Sequence, residues 1–525
     1  MFGGMQDFEL RVTRLLDHAA REHGGREIVT RWADGSETRT DWAGIARDAR
    51  RLAQALERLG VRPGDRVATL AMNHARHLVA WYGVAGMGGL IHTINPRLFD
   101  DQLAFIANHA EDRVLFYDRA FAPIVERMRD QWTTIEHYVC FDDGAFDVLL
   151  DAQDGAYAWV EGDERAPCML CYTSGTTGNP KGVVYSHRST VLHAIAELQP
   201  DVFDLSRRAV ALPVVPMFHA VGWGLPWAAA AAGIKLVFSA VNEPKILCAL
   251  MNGEQVTHSA GVPTVWFAMF QYMDATGEAP RHLKIVTIGG SAAPRAMIER
   301  LMRMGICVNH AWGMTETSPI GTMGAPSPDW DDLRFEQQVD QVSKQGTVPF
   351  GVELRVVGED GAELPRDGVS SGRLHVRGPW VIGQYFKDEA LAVDADNWFD
   401  TGDVAVLHPD GTMQITDRVK DVIKSGGEWI SSVELENCAV GCAGVAEAAA
   451  IGVHHPRWEE RPVLLVVRKQ GADVDAAAVR AHLSAHVAKW WLPDAVLFVD
   501  SLPHTATGKL LKTAIREEYR GFRLE

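Results

Sequence analysis

The sequence lacks a long hydrophobic run. None of its 525 residues falls in an uninterrupted apolar stretch of about 18 residues, the length at which a transmembrane helix is expected. The longest candidate, residues 219–238, contains Pro226 and Lys235, so it predicts a buried helix between loops. Residues 1–20 include acidic side chains and no apolar core, and therefore do not predict a signal peptide. We expect no stable membrane insertion.

Cysteine is scarce, and its distribution argues against a fold held by disulfides. The seven cysteines are an odd number, scattered along the chain and mostly inside apolar segments. This distribution is typical of proteins in the reducing cytoplasm, which is the location we predict. Cys168 and Cys171 have the spacing of a metal or redox pair, but no second pair accompanies them, so we expect neither use.

Positive charge is also in short supply. Lys and Arg together number 51, against 68 Asp and Glu, which gives a formal net charge of −17 at pH 7. An acidic surface of this size argues against binding to nucleic acid or to an anionic membrane surface. It does not exclude an anionic small-molecule substrate, because backbone N–H groups can bind an anion locally.

The chain does contain enough apolar residues for large cores. Hydrophobic residues make up 47% of the 525, and a chain of this length predicts about three to four folding units, or two large ones. In the first half, helical and strand patterns alternate. Residues 41–60 repeat apolar side chains at helical spacing and stop at Gly60, and residues 61–71 then predict a turn and a strand. Strands separated by helices predict parallel βαβ units.

Two later regions have different patterns. Residues 346–416 contain short alternating strands with Gly and Asp turns, which predict an antiparallel sheet or a small barrel. A smaller α+β segment follows and ends in a basic helix at 508–520. We therefore predict an α/β fold: a large N-terminal domain of stacked βαβ sheets with a small β-barrel-like subdomain, then a smaller α+β C-terminal domain. The predicted boundaries are 1–417 for the large domain, 418–424 for a hinge that includes Lys420, and 425–525 for the C-terminal domain.

The strongest chemical signal is the segment 173–182, TSGTTGNPKG, which directly follows the apolar run 168–172. Glycine lets backbone N–H groups close around an anion, Ser and Thr hydroxyls add donors, and Lys181 adds a positive charge. A strand, this loop and a lysine together predict a cradle for a polyphosphate. The spacing from Gly175 to Lys181 differs from a Walker A loop, which argues against a P-loop phosphotransferase. A plain hairpin turn is the alternative, but it needs far fewer hydroxyls.

This loop resembles the signature loop of the adenylate-forming superfamily, which includes acyl-CoA synthetases, peptide-synthetase adenylation domains and firefly-type luciferases. Four further segments resemble the superfamily's later motifs, in the same order. They are AWGMTET at 311–317, WFDTGD at 398–403, DRVKDVIKSGGEWIS at 417–431 and PHTATGK at 503–509. Within the superfamily, the chain is most similar to bacterial medium- and long-chain fatty-acid CoA ligases of the alkane-utilisation type and to methylmercaptopropionate-CoA ligases.

The resemblance implies an activity, its cofactors and its partners. An ATP-dependent ligase would activate a carboxylic acid, most simply a medium- or long-chain fatty acid, as acyl-AMP with release of pyrophosphate. It would then transfer the acyl group to CoA and release AMP. The implied cofactors are ATP, Mg²⁺ and CoA, the implied C-terminal domain is mobile, and a homodimer is compatible with the resemblance.

Alternatives to a fatty-acid substrate remain open. The acid could be a short thioether acid such as methylmercaptopropionate, or an aryl or steroid side-chain acid. From another class, a carrier-protein-loading adenylation module would need an Asp to bind an α-amino group in the stretch 216–223, where no acid occurs. A luciferase-like oxygenase would be recognised by light emission or oxygen uptake.

Three motif residues also have a chemistry of their own. Trp312, beside Gly313, offers a flat ring that can stack on a purine; the family more often has Tyr here, so a phenol hydrogen bond would be lost. Glu316 supplies a hard oxygen that suits Mg²⁺, and Asp403 can accept both ribose hydroxyls. Taken alone, they would be a core tryptophan, an acid at a helix start and an Asx turn.

The resemblance assigns further roles residue by residue. It implies that Lys509 bridges the substrate carboxylate and the α-phosphate, although alone it would be a surface lysine at a helix start. It also implies that Trp223 gates the acyl pocket. In the run 218–223, Val221 replaces an Asn that is typical of the relatives, which leaves the shape of that pocket open.

The complete set of site residues follows from the same resemblance. The catalytic residues are Lys509, Thr173, Glu316 and His219. The metal ligands are Thr173 and Glu316. The cofactor-binding residues are Thr173, Ser174, Gly175, Thr176, Thr177, Lys181, Gly290, Ser291, Ala292, His310, Ala311, Trp312, Gly313, Thr315, Glu316, Asp403, Arg418, Lys420, Lys424, Gly427 and Trp429. The substrate-binding residues are His219, Gly222, Trp223, Val262, Pro263 and Gly290.

Overall fold

A computed structural model of the chain describes residues 3–173, 179–426, 428–504 and 510–524. Within these ranges the helices are α1 (Val12–His23), α2 (Trp42–Arg58), α3 (Ala75–Gly86), α4 (Asp100–Ala110), α5 (Ala122–Met128), α6 (Ala145–Asp151), α7 (His187–Glu197), α8 (Leu225–Ala232), α9 (Pro244–Gly253), α10 (Pro263–Thr276), α11 (Arg295–Arg303), α12 (Phe335–Val342), α13 (Ser432–Val440), α14 (Ala476–Ser484) and α15 (Lys512–Glu518).

The strands alternate with these helices in the first two thirds of the chain and dominate the rest. They are β1 (Glu27–Arg31), β2 (Glu37–Asp41), β3 (Arg66–Leu70), β4 (Leu90–Thr93), β5 (Asp112–Tyr117), β6 (His137–Cys140), β7 (Pro167–Tyr172), β8 (Gly182–Ser186), β9 (Val210–Pro213), β10 (Lys235–Ser239), β11 (His258–Gly261), β12 (Ile285–Ile288), β13 (Cys307–Gly313), β14 (Ile320–Met323), β15 (Glu353–Val357), β16 (Gly372–Arg377), β17 (Phe399–Leu407), β18 (Met413–Arg418), β19 (Ile423–Ser425), β20 (Glu428–Ile430), β21 (Val445–His455), β22 (Glu459–Arg468) and β23 (Ala495–Phe498).

Two mostly parallel sheets build the first part of the chain. One has eight strands in the order β14-β13-β12-β11-β9-β10-β1-β2, and the other has six in the order β6-β5-β3-β4-β7-β8. Pairing is parallel except at β1–β2, β13–β14 and β7–β8. The predicted βαβ arrangement is confirmed. Strands such as β4 are buried along their whole length, as expected when helices cover both faces of a parallel sheet.

A single hydrophobic core contains residues from both sheets and from helices α1, α2, α3, α7 and α8. Polar contacts add to it where the two sheets approach the same edge. The Asn73 amide, just after β3, donates to the carbonyls of Pro213 and Val215 at 3.0 and 2.9 Å and accepts from the Met217 N–H at 2.7 Å. This buried side chain therefore fixes the segment that follows β9 against the end of β3.

The segment 219–238 differs from the prediction of one buried helix. It contains the buried helix α8, but it then turns at Gly233 and ends in strand β10. Gly233 has a φ of 63°, and its N–H closes the helix by donating to the carbonyls of Ala229 and Ala230. A left-handed glycine is a common helix terminator, and here it redirects the chain into the eight-stranded sheet.

The region 346–416 forms an antiparallel sheet of four strands in the order β15-β16-β17-β18. In the described residues β15 and β18 are not paired with each other, so the sheet is open and the barrel-like alternative is wrong. Four strands of this length are too few to curl into a closed barrel with a filled interior.

The C-terminal segment has a sheet and cores of its own. Strands β19 to β23 form one sheet, in which β23 pairs with β22. Side chains alternate along β21, so that Ala448 and Ala450 pack into one core while Ala449 and Ile451 pack into another on the opposite face. Both cores contain only residues after 422. The boundaries at 418–424 stay a prediction.

In the part of the chain that the structure describes, no helix has the length and apolar character that crossing a bilayer requires.

Replacing Trp227 by Ala tests the shared core of the two parallel sheets. The Trp227 ring is buried, 5.2 Å from the ring of Trp81 and 4.7 Å from that of Tyr82. We expect Trp227→Ala to lower the free energy of unfolding by about 3–5 kcal/mol, measured by urea denaturation. The matched control is Trp490→Ala, at an exposed position. A loss no larger than in the control would contradict this role.

Candidate active site

The predicted site residues lie where strands of the two parallel sheets end. Thr173 directly follows β7 of the six-stranded sheet, Gly290 lies just after β12 of the eight-stranded sheet, and Trp312 lies near the end of β13. In open α/β sheets, ligands bind beyond the carboxyl ends of the strands. Motifs that are far apart in sequence therefore meet at one edge of the fold.

A cavity of about 300 Å³ occupies this edge. Its walls include predicted residues that follow strands of both parallel sheets, together with Arg418 of the predicted hinge. These are Thr173, Lys181, His219, Trp223, Gly290, Ala311, Trp312, Gly313, Thr315, Glu316 and Arg418.

The two ends of the Gly/Thr/Ser loop are tied together. The Thr173 N–H donates to the Lys181 carbonyl at 2.9 Å, and the Lys181 N–H donates to the Thr173 hydroxyl at 3.1 Å. Ser174, Gly175, Thr176 and Thr177 lie outside the described residues. Thr173 and Lys181 both line the cavity, so the loop between them starts and finishes at the cavity wall.

Glu316 is a buried acid in the cavity wall, on the short turn Thr315–Thr317. Its Oε1 accepts a hydrogen bond from the Tyr385 hydroxyl at 2.9 Å, and burial raises the pKa of its carboxyl. The Lys181 Nζ lies 4.6 Å from the centroid of the Tyr385 ring. Tyr385 therefore connects the acid and the cation, although these two residues are far apart in sequence.

Trp312 and Asp403 are joined by a buried hydrogen bond. The indole N–H donates to Asp403 Oδ2 at 2.8 Å, while Arg418 Nε lies 3.2 Å from Asp403 Oδ1. A β-bulge between Trp312 and Gly313 re-aims the end of β13. Opposite, a Cβ at Gly321 would lie 2.1 Å from the indole. The ring thus fills the space above a bare glycine, and its N–H supplies a bond that a phenol would make differently.

His310 acts on the backbone of the site. Its Nε2 accepts from the Ala293 N–H at 3.1 Å, and its Nδ1 lies 3.2 Å from the Ser343 carbonyl. Since Nε2 is an acceptor, the proton of the neutral ring is on Nδ1 and is donated to Ser343. Burial lowers the pKa of His310 to about 4, which keeps the ring neutral. We therefore assign it to holding the turn after β12, whose residues Gly289 and Gly290 face the cavity.

One side of the cavity is formed by a left-handed turn. All residues from Ala220 to Gly224 have positive φ, including 37° at Val221 and 56° at Trp223. Positive φ is unfavourable for a β-branched or bulky residue, and such strain concentrates at functional sites. The turn presents Trp223 to the wall, where a Cβ at Gly289 would lie 3.2 Å from its ring. Gly222 belongs to the same turn but does not line the cavity.

A second cavity, of about 320 Å³, lies between the large domain and the C-terminal segment. It shares Gly290, Ala311, Trp312, Gly313 and Arg418 with the first. It adds the predicted residues Ser291, Ala292, His310, Asp403, Lys420 and Pro263. Across it lie His504 and residues 510–513. His504 and Leu510 form a β-bridge, and Lys509 between them lies outside the described residues.

Some predicted residues are not brought to either cavity. Val262, Lys424 and Trp429 line neither. Lys424 pairs with Trp429 across the hairpin β19–β20, and its N–H donates to the Glu460 carboxylate at 3.0 Å. Gly427 lies outside the described residues.

Other cavity residues were not predicted from the sequence. They include Asn179, Phe203, Ala220, Thr287, Met314, Pro319, Ile320, Met323, Tyr385 and Thr401. In the sequence, the apolar residues of this set cannot be distinguished from residues of the hydrophobic core. Tyr385 reaches Glu316 across 69 positions of sequence, and no local pattern reports such a contact.

Two family profiles match the chain. The profile of the AMP-binding enzyme family matches residues 16–386, and that of the AMP-binding enzyme C-terminal domain matches residues 434–509. The first match alone covers more than half of the 525 residues.

Three curated relatives are similar over nearly the whole length. The chain is 46% identical to the 3-methylmercaptopropionyl-CoA ligase of Ruegeria lacuscaerulensis, over 99% of each chain. It is 43% identical to the medium-chain-fatty-acid–CoA ligase of Ectopseudomonas oleovorans, over 99% of this chain and 98% of the relative. It is 44% identical to the long-chain-fatty-acid–CoA ligase of Thermus thermophilus, over 99% and 97%.

The fold agrees with this assignment. The solved structure of the anthranilate CoA ligase AuaEII in complex with anthranoyl-AMP aligns with a TM-score of 0.88, at 22% identity over 99% of each chain. The resemblance predicted from the five motifs is confirmed. The chain belongs to the AMP-binding enzyme family, within its branch of acyl-CoA ligases, which are acid–thiol ligases.

Proposed function

We propose that this protein is an AMP-forming ligase that activates a medium- or long-chain fatty acid with ATP and transfers it to CoA. The observation that carries the proposal is the composition of one cavity. The cation Lys181, the buried acid Glu316 and the aromatic Trp312 line one part of it, and an apolar wall with Trp223 lines another. A nucleotide and an uncharged tail can therefore bind side by side.

In the first half-reaction, the substrate carboxylate attacks the α-phosphorus of ATP. A carboxylate O–P bond forms, the bond from the α-phosphorus to the bridging oxygen breaks, and pyrophosphate leaves with the electron pair. Lys181 and the loop 173–177 would hold the outer phosphates, and Trp312 and Asp403 the adenosine. The reaction needs no protein nucleophile, so the protein contributes positioning and charge stabilisation.

Thr173 and Glu316 are suitable ligands for Mg²⁺. Both line the same cavity and offer oxygen donors, a hydroxyl and a buried carboxylate. One carboxylate completed by phosphate oxygens and water is a usual set for this ion. When bound there, Mg²⁺ would supply neutralisation of the phosphate charge.

In the second half-reaction, the CoA thiolate attacks the acyl carbonyl. A C–S bond forms, the C–O bond to the phosphate breaks, and AMP leaves. We propose that the C-terminal domain turns about Lys420 between the two steps, because one site must serve both. Residues flanking Lys509 line the inter-domain cavity, whereas Lys424 and Trp429 do not. This arrangement supports an orientation suited to the first step.

Two observations bear on the tail of the acid. Phe203, Trp223, Ile320 and Met323 make the lining beyond His219 apolar, which favours an uncharged chain. The high identity to a 3-methylmercaptopropionyl-CoA ligase makes a short thioether acid the second candidate. The absence of an acid in 216–223 disfavours an α-amino acid and thus a carrier-loading module. A homodimer stays a prediction.

A panel of acids tests the proposed substrate class. We expect kcat/KM to be highest for straight-chain acids of medium or long length, with lower values for a short thioether acid and for benzoate. The measurement is pyrophosphate release with and without CoA, together with acyl-CoA formation. Turnover of the thioether acid alone would show that this acid, and not a fatty acid, is the substrate. Activation of amino acids would show that the protein is a carrier-loading adenylation module and not a CoA ligase.

Replacing Lys509 by Ala tests the division between the half-reactions. We expect acyl-AMP formation to fall by about a hundredfold, as when one transition-state donor is removed. Thioester formation from supplied acyl-AMP and CoA should stay close to the unchanged protein. The matched control is Lys489→Ala, an exposed lysine of the same domain. Equal losses in both steps would contradict the proposed role.

Replacing Gly321 by Ala tests the seat of Trp312. The added Cβ would lie 2.1 Å from the indole, so the ring must move and its bond to Asp403 must weaken. We expect KM for ATP to rise about tenfold, because a lost buried hydrogen bond costs about 1–3 kcal/mol. The matched control is Gly253→Ala, where a Cβ has no neighbour within 4 Å. An unchanged KM for ATP would show that the ring does not contact the nucleotide.

A further inference from the structure

A buried cluster of three ionisable side chains lies beside the predicted hinge. The Lys512 ammonium donates to the Ser432 hydroxyl at 2.6 Å and lies 2.7 Å from Glu436 Oε1. Asp417 Oδ2 accepts from the Ser432 N–H at 2.6 Å and from its hydroxyl at 2.7 Å. All four residues are at most 8% exposed. The chain Asp417–Ser432–Lys512–Glu436 is thus continuous and buried, and Asp417, Glu436 and Lys512 are among the residues that line the inter-domain cavity.

Burying such a cluster is costly unless each charge keeps its partner. Removing one partner from a buried pair leaves an uncompensated charge and is strongly unfavourable. Burial raises the pKa of Asp417, and it raises that of Glu436 to about 7. The cation of Lys512 opposes both changes. The favourable energy of the cluster therefore depends on Asp417, Ser432 and Lys512 remaining in contact.

The members of the cluster come from both sides of the predicted hinge. Asp417 is on β18, in the antiparallel sheet of the large domain, three positions before Lys420. Ser432 and Glu436 are on α13, and Lys512 is on α15, three positions after Lys509. The cluster therefore joins the large domain to the start of the helix that follows the lysine motif.

Two further contacts make this joint specific. Glu436 Oε1 also accepts from the Ala450 N–H at 2.8 Å, which fixes the acid to β21 in the centre of the C-terminal sheet. One turn after Lys512, Arg516 Nη1 lies 2.6 Å from Asp421 Oδ1, next to Lys420. A rotation that separates α13 from β18 would break the contacts of Asp417 with Ser432 but leave Lys512 paired with Glu436.

We propose that Asp417 and Lys512 are positioning residues for acyl-AMP formation. Acting through Ser432, they hold the C-terminal domain in the orientation in which the segment that contains Lys509 faces the nucleotide cavity. The inference rests on the proposed function, since it requires two half-reactions in one site. Because the contacts of Asp417 with the C-terminal domain are lost on rotation about Lys420, they favour the first half-reaction and contribute nothing to the second.

Asp417→Asn is the decisive variant. The amide oxygen can still accept from Ser432, while the charge that faces Lys512 is lost. In single-turnover assays with ATP and the best acid of the panel, we expect acyl-AMP formation to slow by roughly ten- to a hundredfold, the range for a charge-assisted bond. Thioester formation from supplied acyl-AMP and CoA should stay within about twofold of the unchanged protein.

Lys512 variants supply the matched comparison. Lys512→Met should slow the same step as Asp417→Asn, and the double variant should be no slower than the worse single one, since both break one interaction. Lys512→Arg, which keeps the charge, should restore most of the rate. Arg520→Met on the same terminal segment is the control and should be unchanged; among the described residues the ion-pair partner of Arg520 is the exposed Glu517.

Measuring acyl-AMP formation and thioester formation separately distinguishes a positioning role from a general effect on stability. If Asp417→Asn slows both steps equally, or neither step, the positioning role is overturned. If Lys512→Met does not fold, Asp417→Asn and Lys512→Arg still decide. If the unchanged protein forms no acyl-AMP from any acid, the proposed function itself fails, and this inference fails with it.

Discussion

The hydrogen bond from the indole of Trp312 to Asp403 joins the two kinds of sheet in the large domain. Trp312 lies near the end of a strand of the parallel sheet, Asp403 lies in the antiparallel sheet, and Arg418 beside Asp403 is the first residue of the predicted hinge. A shift of one sheet against the other would break a buried bond to a carboxylate, which is costly. The two cavities share this wall, so the relative placement of nucleotide, acid and C-terminal domain depends on it.

Charge in this protein is arranged locally. The chain carries a net charge of −17, yet ATP and a carboxylic acid are both anions. Lys181 and Arg418 place positive charge at the cavity that must bind them. His310 stays neutral because it is buried, so it adds hydrogen bonds to the backbone without adding charge. An acidic surface and an anion-binding site are therefore compatible, because the binding energy comes from a few short-range contacts.

Much of the site could be predicted because its residues occur in local motifs at strand ends. Thr173, Gly290, Trp312 and Glu316 are up to 143 positions apart in sequence, yet the carboxyl ends of the parallel strands bring them to one edge. The βαβ order, the antiparallel region and the order of the motifs could also be predicted, because each is visible as a local sequence pattern. The features that could not be predicted from the sequence depend on contacts between residues that are distant along the chain. The bond of Tyr385 to Glu316 leaves no local pattern.

Two local features could also not be predicted from the sequence. Segment 219–238 divides into a helix and a strand at Gly233, which has a φ of 63° and at which a Cβ would lie 2.1 Å from the His23 ring. The left-handed turn at Ala220–Gly224 places Val221 and Trp223 in a conformation that their side chains disfavour. Propensities describe the backbone conformation that a residue prefers in isolation. They therefore fail for a segment that the surrounding structure holds in a conformation its residues disfavour.

The bare position at Gly321 couples two positions of the sequence. Since the indole fills the volume that any side chain there would need, positions 312 and 321 cannot vary independently. A larger residue at 321 requires the ring at 312 to move or to be smaller, so the effects of substitutions at the two positions are not additive.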